Sequence, residues 1–171
     1  MKHWHVTFTV AAALALGGCA TGRGPHRAVL RCEHPFKGSS FVGGYSFSEG
    51  MLTSPVSESG QVDLLYYFDG DDCSQGALVG DCDALGCCLL PIGHKPWPEL
   101  VKLEPPSQDA EWAEGITPLT KEQEGWAFWV RCGPDEFVVV RLERVRPANY
   151  DDLVGGAVPS LELKWYGPLT R

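Results

Sequence analysis

The groups in this chain of 171 residues that could do chemistry are seven cysteines, a set of clustered carboxylates, a few histidines and six tryptophans. Cys73, Cys82, Cys87 and Cys88 fall within one Gly-rich stretch, CSQGALVGDCDALGCC. With Cys32 and Cys132 they form an even set of six once Cys19 is set aside. In an oxidising compartment an even set reads first as disulfides. A bond between adjacent Cys87 and Cys88 would strain a vicinal ring, so each is expected to reach Cys73 or Cys82. Cys32 is then expected to pair with Cys132. Zinc is the competing chemistry, with three of the clustered cysteines and His94 as a Cys₃His set. The spacing lacks the paired C-x₂-C knuckles of common zinc sites, so zinc ranks below the disulfides.

Asp69, Asp71, Asp72, Asp81 and Asp83 flank the same cysteine stretch. Carboxylates on Gly-rich loops suit calcium, a hard cation that takes six to eight oxygens. The sixth position of an EF-hand loop calls for Gly, and Ser74 stands there, so the EF-hand pattern fails. A weak structural calcium site is one expectation for these five side chains, and a solvated acidic turn is the other.

Catalytic motifs are missing from the sequence. It holds no G-x-S-x-G elbow, no H-E-x-x-H and no phosphate-cradling P-loop. Beyond the N-terminal segment the histidines are His26, His34 and His94. Paired carboxylates keep an envelope hydrolase open as an alternative. Exposed aromatics offer a different chemistry, since an indole can stack on a sugar ring or bury in a protein partner. Trp97, held between Pro96 and Pro98, is the foremost candidate for ligand binding, with Trp112 second; Trp129 and Tyr67 are also expected at the surface. The favoured reading is therefore a non-catalytic binding or envelope-structural role, with an envelope protein or a glycan as partner.

The formal net charge is −8, and no basic stripe appears, which argues against a nucleic-acid partner. Residues 49–124 carry 15 acidic and 3 basic side chains, whereas Arg131, Arg141, Arg144 and Arg146 follow on one later stretch. This asymmetry reads as solvated loops opposite a strand with ordinary outward charges.

The address lies at the N-terminus. Lys2 precedes an apolar run over residues 6–16, and Gly17 and Gly18 follow. That is the three-part plan of a secretory signal. As a helix the run spans about 16 Å, too short for the bilayer core. Leu16-Gly17-Gly18-Cys19 resembles the lipobox of bacterial lipoproteins. The resemblance implies cleavage before Cys19 and acylation of its thiol, giving a membrane anchor. Ala20 in the next position implies the outer membrane. Several acyl chains anchor firmly, at about 0.8 kcal/mol per buried CH₂. The chain then divides into a signal peptide (1–18), a flexible Gly-rich tether (19–27) and a single β-rich domain (28–171).

What must position the chemistry is a set of strands. Residues 61–68 alternate, with Val62, Leu64, Tyr66 and Phe68 on one face. Residues 125–132 place Trp126, Phe128, Val130 and Cys132 together, and residues 161–166 do the same with Leu161, Leu163 and Trp165. Residues 137–145 are Val-rich and suit a central strand, joined to residues 125–132 by the turn Gly133-Pro134-Asp135-Glu136 as a hairpin. Weaker strands cover 28–32, 41–47, 77–80 and 100–103. Single helical turns fit residues 109–114 and 120–124, and twenty Gly and thirteen Pro exclude long helices. The expected fold is all-β: a disulfide-stapled antiparallel β-sandwich or partly open barrel of about seven to nine strands, with few short helical turns.

Gly44-Tyr45-Ser46-Phe47-Ser48-Glu49-Gly50, Asp63 ahead of Leu64-Leu65-Tyr66-Tyr67, and the late hairpin with an aromatic final strand together resemble β-rich haem-binding lipoproteins of the HmuY type. That family holds haem through two histidines. Only His34 and His94 could serve here, neither stands in a matching motif, and no ligand is carried over. The lipobox generates the first prediction: cells fed an alkyne fatty acid label the wild-type chain, and Cys19→Ala abolishes the label.

Overall fold

The computed structural model describes residues 24–32, 34–35, 41–47, 50–53, 62–68, 76–80, 89–107, 109–113, 115–146 and 158–170. Cys19, the signal segment, Cys73, Cys82, Cys87, Cys88 and the five aspartates of the proposed calcium loop lie outside them.

Among the described residues, eleven strands follow in chain order: β1 (His26–Arg31), β2 (His34–Pro35), β3 (Phe41–Ser46), β4 (Met51–Thr53), β5 (Leu64–Phe68), β6 (Gly76–Gly80), β7 (Leu89–His94), β8 (Gly115–Leu119), β9 (Trp126–Arg131), β10 (Glu136–Arg146) and β11 (Ser160–Thr170). One helical turn, α1 (Trp97–Leu100), and a 3₁₀ turn at Lys121–Gln123 interrupt them. Every pairing is antiparallel. The strands make two sheets, one ordered β1-β11-β10-β9-β7 and the other β2-β3-β5-β6-β8 with β4 also on β3. Neither sheet closes into a barrel among the described residues, and the arrangement fits a β-sandwich.

The alternation read from the sequence sets the core. Leu30 of β1, Leu64 and Tyr66 of β5, Leu78 of β6, Phe128 and Val130 of β9, Val138, Val140 and Leu142 of β10, and Leu161, Leu163 and Trp165 of β11 form one buried cluster from both sheets. Trp165 is its centre: Phe47 meets it edge-on at 5.2 Å and His26 stacks on it at 4.2 Å. β10 is central, as its valines suggest, and forms the expected hairpin with β9. The 3₁₀ turn is fixed by a capping box, in which the Thr120 hydroxyl accepts from the Glu122 amide and the Thr120 amide donates to the Gln123 carboxamide.

The chain changes sheets at Cys32. β1 belongs to the five-stranded sheet and β2 to the other. The Cys32 amide donates to the Pro159 carbonyl at 3.0 Å in the first sheet, and its thiol approaches the Tyr66 carbonyl at 3.3 Å in the second. Gly43 of β3 lies so close beneath this corner that a Cβ there would overlap the Arg31 carbonyl.

Several expectations need correction. Cys32 and Cys132 are both buried, and no disulfide joins them. Their pairing is excluded by topology: Cys32 sits beside the Arg146 and Ser160 end of the five-stranded sheet, and Cys132 bonds Glu136 at the other end of β10. Ten residue steps at about 3.3 Å place those ends roughly 30 Å apart, whereas a disulfide needs Cα atoms within about 7 Å. Asp63 is buried and accepts the Phe47 amide at 2.7 Å. Trp129, expected at the surface, is 4% exposed. Residues 100–103 are not a strand, because α1 and a turn occupy that stretch. Residues 109–113 form no helical turn; Ala113 instead bridges Leu89, each amide donating to the other's carbonyl.

Burial also acts on the corner chemistry. Desolvation pushes the Cys32 thiol well above its ordinary pKa, and does the same to the Tyr66 phenol, with Cys32 adding to the effect. A thiol released by unfolding ionises above about pH 8.5, while the buried one keeps its proton. The unfolded state then binds fewer protons, so stability is fully present below that pH and falls as pH rises beyond it. The urea midpoint should therefore decline from about pH 8.5 upward, and Cys32→Ala should make that decline shallower. In the same material, alkylation without reductant should modify Cys32 and Cys132 only after denaturation.

Candidate functional site

The site is built on the outer face of the five-stranded sheet, away from the shared core. One end of that face is apolar. Ala127 and Trp129 of β9 with Phe137 and Val139 of β10 form a second buried cluster there. Leu90 and Ile92 of β7, and Tyr166 and Leu169 of β11, pack around it. A sheet with two apolar faces must be covered on both. The cover is the excursion between β7 and β8. Pro96 enters α1 with extended backbone, Trp97 and Pro98 begin the turn, and Leu100 is driven fully into the cluster. Leu103 and Trp112 complete the cover.

Where the cover ends, the sheet face turns cationic. The register sets Arg27 of β1 opposite Lys164 of β11, and Lys164 opposite Arg141 of β10. Directly opposite residues share a face with Cβ atoms about 5 Å apart, so three like charges stand in one row, an arrangement that destabilises a sheet. In the neighbouring row the charges are compensated: Glu162 lies 3.1 Å from Arg146 and 3.7 Å from Arg144. In the cationic row, Arg141 has one acidic partner among the described residues, Glu143, with Nε and Oε1 3.4 Å apart and no hydrogen bond between them. Lys164 reaches the Trp97 indole, its Nζ 4.3 Å from the ring centroid. That cation–π contact is worth about 0.5–1 kcal/mol at an exposed position.

Between cover and cations lies an open cleft of about 510 Å³, lined by His94, Lys95, Pro96, Trp97, Gly125 and Arg141 together with Pro98. Gly125 is in the left-handed region at φ +85°, and a Cβ there would meet the His94 ring at 3.2 Å. His94 is held edge-on to Trp126 at 5.9 Å. The floor is thus fixed by strand pairing and the wall by a proline-flanked indole. A half-buried aromatic with cations beside it suits recognition of a ring that carries an anionic group.

No family model, curated protein or solved structure matches this chain.

Of the residues singled out from the sequence, Trp97 lines the cleft, but Trp112 does not. Trp112 stacks on Phe137 at 5.8 Å, with the Arg131 guanidinium 4.7 Å from its centroid, so its role is in the cover. His34 stands on β2 and His94 on β7, in different sheets. No group of three or more metal-ligating side chains occurs among the described residues. Sequence reading missed His94, Lys95, Arg141 and Lys164 as partners of Trp97. Alternation places Arg141 and Lys164 outward, but only the strand register sets them side by side.

Cover and cleft should separate under substitution. Leu100→Ala, which empties a fully buried position, should lower the unfolding free energy by about 2–5 kcal/mol in urea titrations. Trp97→Ala removes a half-buried ring and should cost clearly less, leaving a folded domain with an altered cleft.

Proposed function

We propose that this chain is an exported lipoprotein, anchored through Cys19, whose β-sandwich domain binds an envelope component non-catalytically at the cleft beside Trp97. The lipobox-like Leu16-Gly17-Gly18-Cys19 supports the anchor. The observation that carries the binding role is the open cleft of about 510 Å³ whose wall is a half-buried tryptophan between two prolines. A stiff wall lowers the ordering cost of binding, because little of the site must be immobilised when the partner arrives. The tether and lipid would hold this cleft near a membrane surface, where envelope proteins and glycans are the available partners. Disulfides among Cys73, Cys82, Cys87 and Cys88 belong to the same proposal, since an exported chain favours them.

The test is an affinity capture from envelope extract with the mature chain as bait. A stoichiometric partner or glycan, retained by the wild type and lost on Trp97→Ala, is the expected result. Equal capture by both baits, with both melting normally, would count against the cleft. Turnover of a hydrolase substrate by the wild type, abolished by one carboxylate substitution, would replace the binding role with an enzymatic one.

A further inference from the structure

Resting on that binding role, we propose that the cleft takes a carboxylated sugar, its carboxylate held by Arg141 and the adjoining lysines and its ring laid against Trp97.

The chain is acidic overall, at −8, yet Arg27, Lys164 and Arg141 occupy adjacent positions across three strands, with Lys95 on the rim of the cleft. Among the described residues Arg27 and Lys164 have no acidic partner, while Arg141 is ion-paired with Glu143 at 3.4 Å but leaves its Nε–H without a hydrogen bond. The next row of the same sheet shows what compensation looks like, with Glu162 shared by Arg144 and Arg146. An incoming carboxylate would supply the cationic row with what Glu162 supplies its neighbour, and a guanidinium can accept it through two parallel N–H donors.

Trp97 forms the wall of the cleft and is already in contact with Lys164, so cation and indole are presented as a unit. A small inorganic anion would use the cations and leave the indole idle. A neutral sugar would use the indole and leave Lys164 without a counter-charge. A sugar whose ring bears a carboxylate uses both, and its hydroxyls can meet the polar rim at Lys95 and His94. The open form of the cleft suits one or two residues of a longer chain rather than an enclosed small molecule.

The experiment uses the full lipid-anchored chain in detergent, titrated calorimetrically with a tetragalacturonate oligomer and with the same oligomer fully methyl-esterified. The acid should bind about tenfold or more tighter than the ester, since one charged hydrogen-bond pair is removed. Its affinity should fall as salt is raised. Arg141→Gln and Lys164→Gln should each weaken the acid severalfold while leaving the ester unaffected, and Lys164→Arg should retain binding. Equal binding of acid and ester, both lost on Trp97→Ala, would overturn the carboxylate assignment while the binding role of the cleft stands. No binding of either oligomer, or tighter binding of an oligoglutamate peptide, would overturn the sugar. Equal capture from envelope extract by the wild-type and Trp97→Ala chains would instead overturn the underlying role.

Discussion

The five-stranded sheet carries apolar side chains on both faces at one end, and much of the rest of the molecule answers to that. Phe137, Val139, Ala127 and Trp129 face away from the shared core. Left in water, each large side chain among them would forfeit about 1.5–3 kcal/mol of burial. The second sheet is already engaged on the other side. The chain therefore leaves β7, makes one proline-bounded helical turn, lays Leu100 and Trp112 over the exposed patch and returns through β8 to the second sheet. The position of Trp97 follows from this route. It is the residue at which the cover begins, so it lies where apolar surface gives way to charge.

The same geometry accounts for the cations. On a strand of alternating pattern, the outward residue following Val139 is Arg141, and register then dictates that its neighbours on β11 and β1 are Lys164 and Arg27. A row of like charges is a cost that the fold tolerates beside a tryptophan, whose ring takes up part of the Lys164 charge. The bulge between Leu142 and Arg144 on β10 then resets the pairing, and the following row is neutralised by Glu162. Structure and charge thus change together within a few residues along one strand.

How much of this was legible in the sequence depended on strand position. Leu64 and Tyr66, the set Trp126, Phe128, Val130 and Cys132, and the set Leu161, Leu163 and Trp165 point inward as the alternation implies, because internal strands carry undisturbed alternation. The central place of β10 and its hairpin with β9 followed from its valines and the Gly133-Pro134 turn. β7 and β8 escaped notice because Pro91, Gly93 and Pro118 resemble loop punctuation, which edge strands tolerate. Trp129 was misplaced because its face of the sheet reads as outward until the cover is known. The Cys32 and Cys132 pairing was misjudged because spacing along the chain does not say which end of a strand a residue reaches. At the site, Trp97 was legible from its flanking prolines, whereas its charged companions come from four separate strands or turns and are joined only by register.

The prolines that hid two strands have a consequence of their own. An open pair of sheets presents unsatisfied backbone donors along its outermost strands, a template on which another chain can add. Pro91 on β7 and Pro118 on β8 are exposed and have no amide to offer, Pro35 stands in β2, and β1 bears Arg27 and Arg31 on its outward face. β7 is further capped at Leu89 by the bridge to Ala113. Among the described residues, strand addition is thus disfavoured along β1, β2, β7 and β8. A molecule of this kind can be packed at high density on a surface, copy beside copy, and remain a population of individuals.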